Sequence, residues 1–438
     1  MSVNQSIKPI TTERRNNLFL GGCDLVELAN KYGTPLYVID EKTLRTTAQE
    51  YINAFKDYPN IKMFYASKAL CNLTISKILL QEGFSFDAVS IGELYTLKKA
   101  GVNLSEILFN GNNKTEEELK FALENNIGRI SVDNFEEAKL LNNLAFKMNT
   151  YPKILLRITP GIECHTHDYI QTGQTDSKFG FDMSQIDDII KLIMCEYKNL
   201  NLVGLHAHIG SQIFELKSFE DEIDILTKEV YRIKNTYNLE LDELNIGGGL
   251  GVKYTEKDTP CSTEDFANTV INSIKVSCDK YSLKEPIIYI EPGRSVISTS
   301  GVTLYKIGTT KQVPNGRKYV AVDGGMGDNP RHALYQAEYT AEICNDVNNR
   351  EGETVTIVGK YCESGDVLIE NINLPIVNIG DVLCVYNTGA YNYSMASNYN
   401  RVQKPAMVLV NNSQSDIIVN RESLEDLIVK ECIPDRLK

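Results

Sequence analysis

Ile61-Lys62-Met63-Phe64-Tyr65-Ala66-Ser67-Lys68-Ala69 runs an apolar stretch straight into a lysine. A short apolar run of this kind reads as a buried strand. An ammonium at the mouth of such a strand is costly to desolvate. A lysine that gives up its proton there can attack a carbonyl carbon and form a Schiff base. The competing reading is an ordinary lysine lying along apolar ground with its head in water. Residues 62–66 are the first of eight such runs, followed by 85–89, 106–110, 128–132, 153–158, 202–209, 244–248 and 286–291. Segments such as 92–100 and 115–125 lie between them, with helical spacing and helix-starting residues near their fronts. Eight strand–helix units predict an α/β fold, a (β/α)8 TIM barrel, with an open doubly wound sheet as the alternative.

Past Ser300 the pattern changes. Residues 319–323, 354–358, 367–369, 381–385, 407–410 and 416–419 read as strands separated by turn residues, which predicts a second, all-β domain of sandwich or barrel-like form. The early run 36–39 precedes the barrel and is expected to join that sheet. The predicted division is a barrel over 41–299 and a β domain from 1–40 with 300–438. A chain of 438 residues is long enough for two such domains.

Composition narrows the function. The net charge is -13, so a nucleic-acid or anionic-membrane surface is not expected. No run approaches the ~18 apolar residues of a membrane span. Residues 1–15 are polar, unlike a secretory leader. Ten cysteines contain no C-x-x-C pair, which argues against a disulfide framework or zinc knuckle and for reduced thiols in a cytoplasmic protein.

Chemistry-bearing residues gather at the predicted strand ends, the barrel face where active sites form. Lys68 follows the first strand, and Asp87 and Ser90 end the second. Arg157 lies in the fifth, and His208 ends the sixth. Gly247, Gly248 and Gly249 end the seventh, and Glu291 ends the eighth. A glycine loop can cradle a phosphate, aided by the start of the next helix, or can simply be a tight turn. His206 and His208, with His165 and His167, raise the alternative of a metal site. His208 is the better placed to stack on an aromatic ring, and His206 reads as a packed core residue. Glu291 beside a pyridine nitrogen would keep it protonated, and a salt bridge to Arg294 is its alternative use. Lysine, imidazole, glycine loop and carboxylate together are the parts needed to hold pyridoxal 5'-phosphate.

Several motifs, in order, make the chain similar to a known family. They are Tyr65-Ala66-Ser67-Lys68-Ala69, Phe86-Asp87-Ala88-Val89-Ser90 with Gly92-Glu93-Leu94, Asp176-Ser177-Lys178-Phe179-Gly180, and His206-Ala207-His208-Ile209-Gly210-Ser211-Gln212. Gly247-Gly248-Gly249-Leu250-Gly251, Glu291-Pro292-Gly293-Arg294, Arg331-His332-Ala333-Leu334-Tyr335, Cys362-Glu363-Ser364-Gly365-Asp366 and Gly389-Ala390-Tyr391 with Ser397-Asn398-Tyr399-Asn400 complete the set. From about residue 33 to residue 400 the chain resembles the fold-type III pyridoxal-phosphate decarboxylases of the alanine-racemase-like barrel group, and within them the diaminopimelate decarboxylases. Ile91, Leu70 and His332 stand where relatives commonly carry Gly, Asn and Pro.

The resemblance implies roles. Lys68 would hold the cofactor covalently, His208 would stack on its ring, and Glu291 would pair with its nitrogen. Ser211, Gly247, Gly248, Gly249 and Gly293 would take the phosphate, with Arg294 and Tyr391 beside it. Arg294, Arg331, Tyr335 and Tyr391 would contact substrate, the arginines through its carboxylates. Cys362 would be the proton donor and Glu363 the partner of the distal ammonium, both supplied across a homodimer. The segment 165–173 would close over the substrate. The implied reaction turns meso-2,6-diaminopimelate into L-lysine and carbon dioxide, with no metal. Alternatives are decarboxylation of ornithine, arginine, lysine or carboxynorspermidine, a racemase, and a silent cofactor-binding homologue.

Overall fold

A computed structural model of the protein describes residues 2–162 and 177–438. Two compact units emerge. The first comprises Met1–Gln5, Arg45–Val252 and Thr259–Val296, and the second Ser6–Leu44, Lys253–Asp258 and Ile297–Lys438.

The first unit is built on eight parallel strands: β1 (Ile61–Ala66), β2 (Ser85–Ala88), β3 (Leu108–Phe109), β4 (Arg129–Val132), β5 (Lys153–Thr159), β6 (Asn201–His206), β7 (Glu243–Asn245) and β8 (Ile287–Ile290). Each pairs with the next, β8 pairs with β1, and the ring is closed as a TIM barrel. Helices follow the strands, among them Leu73–Gln81, Ile91–Lys99, Glu116–Glu124, Phe135–Met148, Lys217–Tyr237 and Thr263–Tyr281. Their starts are written in the sequence: Asn72, Ser90, Asn134 and Ser262 accept a backbone N–H as N-caps, and Thr115 forms a capping box with Glu118. Ser90 thus has a structural use. A further helix, Ile186–Cys195, lies between β5 and β6.

Strand residues two apart share a face, and this period organises the polar and apolar side chains buried within the barrel strands. Arg129 and Glu243, near the starts of β4 and β7, form a buried bidentate pair at 2.5 and 2.7 Å. Phe64, Leu108, Leu155 and Tyr289 make an apolar cluster. Two residues further along these strands or just beyond them come Asn110, Ser131, Arg157, Asn245 and Glu291, all buried. The same faces change from apolar or ion-paired to polar and charged as they approach the carboxyl ends.

The second unit is a mixed sheet with strands β9 (Gly301–Gln312), β10 (Lys318–Val322), β11 (Ala341–Ile343), β12 (Gly352–Val358), β13 (Val367–Pro375), β14 (Val382–Tyr386), β15 (Ala406–Asn411) and β16 (Gln414–Val419). The early strand Leu36–Asp40 joins it, antiparallel to β9 and parallel to β15. β9 and β11 were not legible in the sequence. The outer half of β9 is solvent-exposed, Gly308 interrupts it, and the register shifts between Ile307 and Thr309, so no simple alternation survives. A short helix, Leu25–Tyr32, capped by Asp24, packs Leu25, Leu28 and Ala29 into this unit's core. Among the described residues no helix is long and apolar enough to cross a membrane.

Candidate active site

Lys68 sits in a single helical turn, Ser67–Ala69, directly after β1. Its neighbours Ser67 and Ala69 are buried, but Lys68 itself is exposed. β1 ends two residues earlier, at Ala66. The Lys68 charge still bears on the groups around it, opposing the effect of burial at Asp87, Glu93 and Glu291.

Beneath it lies a buried polar network. Glu291 Oε1 accepts from the side-chain amides of Asn245 at 2.7 Å and Asn110 at 3.1 Å. The Asn110 amide also donates to Asp87 Oδ1 at 2.5 Å. Burial, and then the Asp87 carboxylate, push Glu291 up to about 8. Asp87 is likewise raised by burial, with Lys68 opposing. His206 is buried, and its partners are polar. Its Nδ1 lies 2.8 Å from Ser131 Oγ and its Nε2 lies 3.7 Å from Glu291 Oε1. Burial, then Arg157, lowers its pKa well below the usual histidine range, which keeps the ring neutral. Arg157 pairs in register with His206 across β5 and β6. Glu291 does not bridge to Arg294, which donates to Ser211 Oγ at 3.0 and 3.3 Å.

The glycine loop is stitched in place from both sides. Gln212 pairs its side-chain amide with both backbone groups of Val252, and Ile213 exchanges bonds with Gly249 and Gly251. Any side chain at positions 247–249 would collide: a Cβ on Gly247 would lie 2.7 Å from His208 Nδ1, on Gly248 2.1 Å from the Glu291 carbonyl, and on Gly249 2.5 Å from the Gly210 carbonyl. Two of the three loop N–H groups are in use. Gly247 donates to Asn245 Oδ1 at 2.8 Å and Gly248 to His208 Nδ1 at 3.3 Å. Gly249 N–H has no acceptor among the described residues. The next helix begins only at Thr263, so the loop does not run into a helix start as expected. β6 ends at His206, which places His208 in the following loop, its Nδ1 fixed as an acceptor.

This mouth fits a ring bearing a nitrogen at one end and a phosphate at the other. Glu291 has one oxygen engaged by two amides, and Oε2 accepts nothing among the described residues. Gly249 N–H and the Ser211–Arg294 pair provide donors and positive charge for an anion.

The second unit holds its own constellation. Arg331 Nη1 donates to the Tyr254 hydroxyl at 2.9 Å and the Tyr339 hydroxyl at 3.2 Å. The guanidinium carbon lies 5.4 Å from the Tyr254 ring centroid and 5.9 Å from that of Tyr391. Arg331 is buried, and its Nε and Nη2 have no acceptor among the described residues. A buried guanidinium with no carboxylate beside it among the described residues is a ready anion receptor. Tyr391 adopts φ 62°, a left-handed conformation that a bulky residue holds only under constraint. Tyr335 ends the short helix Arg331–Tyr335 and is half-buried.

Cys362 and Glu363 are exposed at the tip of a tight loop. Asp366 forms its base: the buried carboxylate accepts from Met326 N at 2.7 Å and Tyr361 N at 2.8 Å. Gly325 and Gly359 leave it room, since a Cβ on either would come within 2.4 and 2.2 Å of its oxygens. Asn400 Oδ1 accepts from Cys362 N at 2.8 Å.

Among the described residues no group of three His, Cys, Asp or Glu side chains is arranged to hold a metal ion. His165, His167 and the 165–173 loop lie outside the described residues. Sequence reasoning did not find Asn110, Asn245, Tyr254 and Tyr339. The two asparagines carry a readable signal, a polar residue closing an inward period-two series (Leu108 to Asn110, Glu243 to Asn245). The tyrosines carry none.

A family profile, the pyridoxal-dependent decarboxylase, pyridoxal binding domain, matches residues 43–298. The chain is 46% identical over 448 residues to a diaminopimelate decarboxylase of Synechocystis sp., covering 100% of this chain and 95% of the relative. It is 46% identical to that of Bacillus subtilis, over 95% of this chain and 96% of the relative. A crystal structure of diaminopimelate decarboxylase from M. jannaschii, in co-complex with L-lysine, superposes with a TM-score of 0.93 at 37% identity, covering 100% of both chains.

Proposed function

We propose, for a chain that belongs to the pyridoxal-dependent decarboxylases and within them to the diaminopimelate decarboxylase family, that it converts meso-2,6-diaminopimelate to L-lysine and carbon dioxide. The observation that carries this reading is full-length likeness to diaminopimelate decarboxylases in both sequence and structure.

Pyridoxal phosphate, when bound, supplies an electron sink for the pair left behind by a departing carboxylate. Lys68 would hold its aldehyde carbon, and His208 would face its ring. Ser211, Gly247, Gly248, Gly249 and Gly293, with Arg294, would surround its phosphate, and Tyr391 would lie beside it. Burial, then the Asp87 carboxylate, raises the pKa of Glu291, which favours its protonated form. That proton can pass to a ring nitrogen, leaving a carboxylate held by Asn110 and Asn245.

The remaining residues sort by charge. Arg294, Arg331 and Tyr335 suit the substrate's carboxylates, and Glu363 its distal ammonium. Cys362 would deliver the proton that replaces the lost carboxylate. The exposure of Cys362 and Glu363 on their loop suits groups offered to a neighbouring chain, which supports a homodimer with shared active sites. The acidic chain and scattered cysteines support a cytoplasmic location.

Carbon dioxide release from a panel of diamino acids tests the reading. Diaminopimelate should react far faster than ornithine, arginine or L-lysine, because a site built for a second carboxylate leaves buried charge unpaired when it is missing. Faster turnover of ornithine would overturn the substrate assignment. Cys362→Ala should reduce turnover while the bound cofactor's absorbance persists. Borohydride should fix the cofactor to the wild-type protein and not to Lys68→Ala.

A further inference from the structure

We propose that Asn245 is the positioning residue that joins the two ends of the cofactor site into one unit, an inference that rests on the reading of that site as a pyridoxal phosphate site. Asn245 closes β7 and is 0% exposed. Its carbonyl Oδ1 accepts from Gly247 N at 2.8 Å, fixing the first residue of the glycine loop. Its amide Nδ2 donates to Glu291 Oε1 at 2.7 Å, fixing the acid assigned to the ring nitrogen. The Glu291 N–H returns to the Gly247 carbonyl at 2.6 Å, so the three residues form a closed cycle.

An amide of this length serves both partners without adding a titratable group. The orientation is set by them, since a backbone N–H needs an acceptor and the Glu291 oxygen needs a donor. An alanine or leucine would leave both unpaired in a buried site. An aspartate keeps an acceptor for Gly247 in either protonation state, but brings a third carboxyl to Glu291 and Asp87. The charged or titratable groups facing Glu291 come from every side: Lys68 after β1, Asp87 on β2, Arg157 on β5, His206 on β6 and Glu222 on the helix Lys217–Tyr237. Without the Asn245 amide nothing on β7 offsets them. Asn110 makes the longer, shared contact with Glu291 and does not touch the glycine loop.

The test uses the full chain, freed of cofactor and titrated by visible absorbance with pyridoxal phosphate and, separately, with pyridoxal, which lacks the phosphate. The ratio of the two affinities reports the phosphate end, and the pH midpoint of the bound cofactor's visible band reports the nitrogen end. Asn245→Ala should lower the ratio about tenfold and displace the midpoint. Asn245→Asp should restore most of the ratio while the midpoint stays displaced. A ratio and midpoint both unchanged in Asn245→Ala, even with lowered thermal stability, would reduce Asn245 to a packing residue and overturn the proposal. A change at one end only in Asn245→Ala would overturn the coupling. A wild-type chain that binds neither vitamer would instead sink the underlying reading of the site. Should Asn245→Ala not fold, Asn245→Ser, too short to reach both partners, takes its place with the same expected and overturning results.

Discussion

The Tyr254 hydroxyl lies 2.9 Å from Arg331 Nη1 and joins residues 77 positions apart in the chain. With the Tyr339 hydroxyl it anchors one nitrogen of the guanidinium and leaves the others without an acceptor among the described residues. An arginine held by neutral hydroxyls keeps its full charge for an incoming anion, whereas a carboxylate partner would have spent it.

Tyr254→Phe should therefore loosen Arg331 without removing its charge. On the reading of Arg331 as a substrate-carboxylate receptor, KM for diaminopimelate should rise about five- to tenfold, the loss of about 1 kcal/mol for one hydrogen bond. The kcat should change little. Steady-state kinetics checks this, and an unchanged KM would remove Tyr254 from the binding machinery.

The Arg129–Glu243 pair is buried and bidentate, so each charge relies on the other. Glu243→Gln should destabilise the protein by about 3 kcal/mol because it strands a buried guanidinium. Denaturant unfolding measures the loss. A change below about 1 kcal/mol would mean that water or a rearranged neighbour replaces Glu243.

Glu222, on the helix Lys217–Tyr237, is fully buried, and neither carboxyl oxygen has a hydrogen-bond partner among the described residues. Burial, then the proximity of Glu291, raises its pKa well above the usual carboxyl range. Glu222→Leu should stabilise the protein by about 1–2 kcal/mol, more at pH 8 than at pH 6. A lower melting temperature in the variant at both pH values would show that the acid has a partner after all.

Glu291 also makes stability depend on pH. Its folded pKa of about 8 lies above the ordinary 4.5, so between these values the folded chain holds a proton that the unfolded chain has released. By linkage the contribution is fully present below pH 4.5 and is lost as pH rises through about 8. Asp87, raised by burial too, acts in the same direction. Cofactor-free Glu291→Gln should lose less stability than wild type between pH 6 and pH 9. Parallel pH profiles of melting temperature for the two proteins would contradict this.

Much was legible in order along the chain. The barrel follows from eight apolar runs spaced by capped helices, because period and capping are local properties that each segment carries within itself. The glycines at 247–249, Glu291 after β8 and Lys68 after β1 are likewise positions that the strand pattern alone assigns to one barrel face. Long-range packing decided the rest. Whether Lys68 is covered or exposed depends on where the turn after β1 points. The N–H groups of Gly247 and Gly248 are claimed by Asn245 and His208, which no spacing rule announces. Glu291 pairs with Asn110 and Asn245 rather than with Arg294 three residues away, because ring closure brings β3, β7 and β8 side chains inward while the chain turns Arg294 toward Ser211. Hydrogen-bond partners and desolvation are set by distances between segments, and those distances exist only once the sheet has closed.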